Sequence, residues 1–313
     1  MLEEKQTARE TILLETGTLW QRVKEQTEYA LQSGALLSIP TDFEFVEQGG
    51  VRFVVRVLSN LARKDAAKKA REKLATSSNK DFNPFLPYEE DLFVTDISDT
   101  HVCLLNKFNV VDYHLLIITR AFEEQETLLT QQDFAAMWAC LAEIDGLIFY
   151  NGGKTAGASQ RHKHLQLIPC PLVPNQPQQL PIEPLLASAQ AQDSVASVAE
   201  LPFVNALTQL NPDWAQSPLE AAQATLERYH TLLGAVGLED GVNDNKQSGA
   251  YNLLATREWM LIVPRSHESF ESISINSLGF AGSLFVRNEQ QMKMLKDVGP
   301  MNILKNVAVT STN

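Results

Sequence analysis

His162, Lys163, His164, Leu165 and Gln166 follow a glycine-bearing run, Asn151 to Ser159, and lead into Leu167-Ile168-Pro169. If 163–168 is extended, side chains two apart share a face. One face then carries His162, His164 and Gln166, and the other carries Leu165 and Leu167, which can enter a core. Two imidazoles and an amide in a row beside a glycine loop suit phosphoryl transfer, where a neutral histidine can be the nucleophile. Other readings compete. A His-x-His pair can ligate a metal, but zinc needs further ligands at suitable spacing. Cys103, Cys140 and Cys170 form no C-x-x-C pair, and the other histidines are scattered. Ordinary core or surface histidines are the plainest reading. Gly153-Lys154-Thr155 hints at a phosphate loop, but G-x-x-x-x-G-K-[ST] needs glycine at 148, where Ile148 stands.

The elements that must carry these residues are legible in outline. Leu19, Trp20, Val23, Ala30 and Leu31 predict an amphipathic helix over 18–33, ending near Gly34. Phe43–Val46 and Val51–Val57 read as a hairpin across Gln48-Gly49-Gly50. Strands are expected at 101–105 and 113–119, joined through turn chemistry at Asn106–Asn109. Phe134, Met137, Trp138, Leu141 and Ile144 predict a helix over 131–149, with the histidine strand following it. Pro169–Pro184 is proline-rich and 187–198 is low in complexity, so 171–217 reads as an irregular connection. A helix over 219–233, two strands around Arg257-Glu258 and a helix over 288–307 broken at Gly299-Pro300 complete the chain. Leu104–Arg120 and Leu253–Arg265 both read as strand, turn, strand and exit, a weak internal repeat. The expected division is 1–170 with the motif, 171–217 as a Pro/Gln/Ala-rich connection, and 218–313 completing an α+β fold.

The chain has 313 residues, enough for a large core, and a net charge of -12. That charge argues against a general nucleic-acid binder, though not against an enzyme acting on nucleotides in a donor-rich pocket. No apolar run is long enough to span a bilayer, and the polar start Met1–Lys5 predicts no signal peptide. Three unclustered cysteines suit a reduced, cytoplasmic setting. Arg63, Lys64, Lys68, Lys69, Arg71 and Lys73, with Lys80 nearby, read either as a solvated face or as a flap that attracts polyphosphate.

The row from Asn151 through Ser159-Gln160-Arg161-His162-Lys163-His164-Leu165-Gln166 resembles the active-site signature of the histidine-triad superfamily. It is similar to the branch in which glutamine replaces the third histidine. That branch holds the galactose-1-phosphate uridylyltransferases and the diadenosine tetraphosphate phosphorylases, also called ATP adenylyltransferases. Asn79–Tyr88 before Leu92-Phe93-Val94, and Tyr251–Arg265 near the other end, resemble the phosphorylases, so the likeness runs from Phe43 to Val307. It implies a histidine-triad-like antiparallel sheet with flanking helices and two related halves, and because the second half lacks a His-x-His, one site per chain is expected. It implies that His164 attacks the α-phosphorus of a nucleotide, forming an adenylyl-histidine that inorganic phosphate then cleaves. His162 would orient the site and Gln166 would donate to a phosphate oxygen. Asn151 and Ser159 would bind phosphate oxygens, helped by backbone amides near Gly157 and Ala158. Asn106 and His114 match positions near ribose and base, against the plainer readings of a turn residue and a core histidine. Lys154 and Lys80 are further phosphate candidates.

The implied reaction converts diadenosine tetraphosphate and inorganic phosphate to ATP and ADP, with adenosine 5'-phosphosulfate as a second substrate of the class. A divalent cation, magnesium, would arrive with the nucleotide, and no tightly bound protein metal is expected. The expected state is a monomer or homodimer, with no nucleic-acid or membrane partner. Uridylyl transfer to a sugar phosphate is the first alternative, weakened by Lys163 where that branch usually has proline. A dinucleoside polyphosphate hydrolase is the second, and Gln166 argues against it. A non-catalytic nucleotide binder with a vestigial site is the third.

Overall fold

The structure, a computed structural model, describes residues 10–58, 83–173, 179–187, 189, 195–238 and 245–310. Lys80 and the basic segment 63–73 lie outside the described residues.

Among the described residues an eight-stranded antiparallel sheet is the frame. Across it run β3 (Phe93–Asp96), β4 (His101–Leu105), β5 (Leu115–Thr119), β7 (His164–Pro169), β6 (Gly146–Gly152), β9 (Tyr251–Ala255), β10 (Trp259–Pro264) and β8 (Ala206–Gln209). The two hairpins of the weak internal repeat are β4–β5 and β9–β10, and each exits on an arginine, Arg120 and Arg265. The parts meet where β6 pairs with β9, with Asn151 opposite Asn252.

Period-two alternation splits the sheet into two faces. Leu115, Ile117, Leu165, Leu167, Ile148, Tyr150, Leu253 and Ile262 are buried in one core with helices α1 (Leu19–Ser33), α2 (Gln131–Glu143) and α4 (Pro218–Ala235). Burying side chains of this size contributes about 1.5–3 kcal/mol each. The Trp138 indole of α2 donates to Thr225 Oγ1 of α4 at 2.7 Å, so the largest core side chain also has its polar atom satisfied. The start of α1 is capped from a distance: the Glu143 carboxylate accepts from the amides of Gly17 (2.8 Å) and Leu19 (3.3 Å).

The other face carries Leu147, Phe149, Ile168, Leu254, Leu261 and Val263 beneath a second layer. In that layer β1 (Thr41–Gln48) pairs with β2 (Val51–Leu58), and β2 pairs in parallel with β13 (Ser283–Val286). Helices α5 (Ser277–Phe280), α6 (Glu289–Val298) and α7 (Pro300–Val307) complete it, with the short strand pair β11 (Ser269–Phe270) and β12 (Ile273–Ser274) beside them. Val102, Leu104, Leu116 and Ile118 gather under Phe85 as a smaller cluster on β4 and β5. Cross-strand partners face the same side, so pairing Gln166 with Phe149 and Leu116, and His164 with Ile118, puts His164 and Gln166 on this second face.

Two expectations are corrected. The helix over 131–149 ends at Glu143, and 146–152 is the strand β6, which lies between helix and histidine strand in sequence. Ile144 to Tyr150 is a near-continuous apolar run, which periodicity alone does not assign to helix or strand. Gly146 was the missed signal: a Cβ there would meet the Ile168 carbonyl oxygen at 2.4 Å, so β6 crosses β7 where only glycine fits. The connection 171–217 is also more ordered than expected. It contains α3 (Glu183–Leu186) and the edge strand β8, and Leu180, Ile182, Leu186, Val198, Leu201 and Phe203 are buried in the second core. Its apolar residues are spaced irregularly, so burial proceeds without a period that sequence could show. The other predicted helices and hairpins form, with boundaries displaced by a few residues.

Candidate active site

His164 opens β7 and is 5% exposed. Its Nδ1 lies 2.8 Å from the His162 carbonyl oxygen, which can only accept, so Nδ1 carries the proton. Nε2 therefore presents a lone pair, and it makes no hydrogen bond among the described residues. Burial, reinforced by the nearby His162 ring, pulls the His164 pKa from 6.5 down to about 4, against the bond to the His162 carbonyl. At neutral pH the ring is a neutral imidazole held in one tautomer.

The same logic fixes His162. Its Nε2 donates to the Thr119 carbonyl at 2.8 Å, with Thr119 Oγ1 at 2.9 Å, and its Nδ1 accepts from Asn83 Nδ2 at 2.9 Å. Both nitrogens are thus engaged, and burial lowers its pKa as well. His162 acts on His164 through its carbonyl and presents no free ring nitrogen. Phe85 meets both imidazoles edge-on, with centroids 5.6 and 5.4 Å away, and Phe122 meets His162 at 5.5 Å.

Gln166 is aimed by a residue whose plainer reading was a satisfied core histidine. His114 Nδ1 accepts from Asn106 Nδ2 at 3.2 Å, which leaves Nε2–H to donate to Gln166 Oε1 at 2.9 Å. Burial drops the His114 pKa to about 4, against the Gln166 bond and with the His164 ring lowering it further. The Gln166 amide NH2 is then left to donate elsewhere. Asn106 reaches the site through His114.

Asn151 is oriented in the same way. Its Oδ1 accepts from Asn252 Nδ2 (2.9 Å), Ser277 N (3.0 Å) and Ser277 Oγ (2.8 Å), so its NH2 faces away from all three. Asn252 is held in turn by Arg265, whose guanidinium donates to Asn252 Oδ1 at 2.6 Å and to the carbonyls of Ala156, Ile275 and Val307. Burial lowers the Arg265 pKa to about 10, opposed by Glu268, so it stays a cation tying the glycine loop to the second half.

The loop corrects one expectation. The amides of Gly157 and Ala158 are used inside it, donating to Lys154 O at 2.9 Å and Gly153 O at 3.1 Å. They are not available as an anion nest. The amides of Ser159 and Gln160, next along the chain, carry no backbone hydrogen bond among the described residues. Gly157 has φ +92°, and a Cβ there would come within 2.8 Å of the Ile275 carbonyl oxygen, so the loop closes on the second half only with glycine. Ser159 and Lys154 are exposed and make no side-chain hydrogen bond among the described residues. Lys163 points the other way, fully buried on the helix side, with Asp133 Oδ2 at 2.7 Å, Glu123 Oε2 at 3.2 Å and the Leu128 carbonyl at 3.0 Å. Among the described residues no three His, Cys, Asp or Glu side chains converge as a metal site.

Asn83, Gln125, Asn252 and Ser277 were not singled out from sequence. Their bonds to His162, His164 and Asn151 span 26 to 126 residues, and no local pattern marks them.

A model of the Ap4A phosphorylase N-terminal domain matches residues 9–188, and one of the ATP adenylyltransferase C-terminal domain matches 199–310. Diadenosine 5',5'''-P1,P4-tetraphosphate phosphorylase 2 of Saccharomyces cerevisiae is 28% identical over 253 residues, 71% of this chain and 74% of the relative. Protein APA1 of the same organism is 30% identical over 210 residues, 60% and 61% of the two chains. The crystal structure of yeast Ap4A phosphorylase Apa2 in complex with Ap4A shares the fold at TM-score 0.76 and 22% identity, covering 97% of this chain and 100% of that one. With family models matching both halves of the sheet that carries His164, Gln166 and Asn151, the chain belongs to the Ap4A phosphorylase (ATP adenylyltransferase) family.

Proposed function

We propose that this chain cleaves diadenosine tetraphosphate with inorganic phosphate, giving ATP and ADP through an adenylyl group on His164. The observation that carries this is the tautomer: the His162 carbonyl holds the Nδ1 proton and leaves Nε2 open. The Nε2 lone pair attacks the α-phosphorus and the bond to the bridging oxygen breaks, releasing ATP. As the ring gains positive charge, the Nδ1–H···O bond to His162 strengthens, an interaction that favours the transition state over the ground state. The unengaged amide groups of Gln166 and Asn151, with the backbone amides of Ser159 and Gln160, would receive non-bridging oxygens, a role their lack of other partners supports. A phosphate oxygen then attacks the same phosphorus, the N–P bond breaks, and ADP leaves with His164 neutral again. Each such transition-state hydrogen bond contributes about 3 kcal/mol.

Gln166 does not titrate and supplies no base for water, which favours phosphate as the acceptor. The same intermediate would form from adenosine 5'-phosphosulfate with sulfate leaving. Magnesium would ride on the polyphosphate oxygens, as this cation is commonly held through substrate phosphates. Anion-exchange analysis of products, with magnesium and with or without phosphate, tests the reading. Equal ATP and ADP only with phosphate is the expected result. AMP with ATP regardless of phosphate would mean a hydrolase, and no reaction would bring uridine nucleotides and sugar phosphates forward.

A further inference from the structure

Gln125 lies between β5 and α2, outside every strand, and is 2% exposed. Its side-chain amide does the work of a neighbouring strand. Oε1 accepts from the His164 amide at 2.9 Å, and Nε2 donates to the His164 carbonyl at 3.2 Å and to the Asn151 carbonyl at 3.0 Å. The β6–β7 ladder pairs Phe149 with Gln166, and two residues further on it would bring Asn151 and His164 opposite each other. Gln125 spans that gap. Its own backbone is fixed on both sides: the Gln125 amide donates to the Arg161 carbonyl at 2.6 Å, and the Tyr150 hydroxyl donates to the Gln125 carbonyl.

We propose that Gln125 is a positioning residue that sets the spacing between the His164 imidazole and the Asn151 amide. This rests on the reading of His164 as the nucleophile. A primary amide offers an acceptor and two donors in one rigid plane, which is what a peptide N–H, its own carbonyl and a second carbonyl require together. The strands themselves do not depend on it, because Ile148, Leu165 and Leu167 are fully buried and hold β6 and β7 to the helices. Losing the clamp moves His164 against Asn151, and a displacement of about 1 Å costs about 10²-fold in rate.

The test compares Gln125→Met and Gln125→Glu with wild type on diadenosine tetraphosphate and phosphate, with folding checked by circular dichroism and melting. The expected result for Gln125→Met is a kcat reduced about 10–100-fold with KM little changed. A protonated glutamate recovers one donor, so Gln125→Glu regains kcat from pH 8 to pH 6 while Gln125→Met does not. The titratable groups around the position, His162, His164, Glu123, Glu126 and Tyr150, are common to both variants and cancel in the comparison. An active wild type alongside a Gln125→Met variant with full kcat and only a lower Tm overturns the inference alone. A wild type that forms no adenylated His164 overturns the underlying reading and the inference with it.

Discussion

His164 is set up by what surrounds it more than by its own type. An imidazole held near pKa 4 stays neutral where an ordinary one begins to protonate. The acid limb of kcat/KM is therefore expected below pH 5, with little loss at pH 6. A limb centred near 6.5 in a pH profile would contradict the burial argument. The same depression affects stability. His164 and His114 bind protons in the unfolded chain near 6.5 but in the folded chain only near 4, so unfolding takes up protons in that window. Stability then falls as pH drops from about 6.5 toward 4, by about 1–2 kcal/mol per histidine between pH 7 and 5. Urea unfolding at the two pH values measures this. The row His162–His164–Gln166 was legible from spacing and resemblance. Of the residues that fix tautomers and amide orientations, His114 stood out only as a ribose-or-base position, and Thr119, Asn252 and Ser277 not at all, because they reach their partners only through the tertiary fold.

At the scale of elements, Lys163, just before β7, joins that strand to helix α2. Burial alone would raise the Asp133 carboxyl, but the Lys163 ammonium and His101 hold it well below the usual range. The same carboxylate closes the capping box, accepting from the Thr130 amide at 2.7 Å. Lys163→Met removes one partner of a buried pair and is expected to cost about 3–5 kcal/mol of stability. Adding Asp133→Asn should recover much of that loss, since it removes the stranded charge while an amide oxygen still accepts from the Thr130 amide. Denaturant midpoints of the single and double variants decide it, and an additive further loss would show the pair is not the reason. From sequence Lys163 stood only as a departure from proline. Its role depends on α2 lying under β7, and reading α2 through to Phe149 hid the strand that brings them together.

At the scale of the whole molecule, two strand pairings join distant parts of the described chain. One is β6 against β9, with Asn151, Asn252, Ser277 and Arg265 in one buried hydrogen-bonded group. The other is β13 pairing in parallel with β2, which stitches the end of the chain to its beginning. A fragment ending at residue 188 would expose the β6 edge, and its Asn151 would lose the donors that orient it. Such a fragment is expected to be inactive and prone to associate, and mixing it with 199–310 should restore activity. An active, monomeric 1–188 fragment in gel filtration would show that the second half is not needed to build the site. The weak repeat hinted at two hairpins, but which edges meet is a non-local fact that hairpin patterns do not encode.

The most direct measurement is to look for the covalent intermediate. The protein would be incubated with diadenosine tetraphosphate without phosphate, quenched in alkali to preserve a phosphoramidate, and peptide-mapped by mass spectrometry. The prediction is one adenylyl group on His164, discharged as ADP when phosphate is added before the quench and absent in His164→Gly. Full turnover by His164→Gly, or an adduct on another residue, would contradict the account.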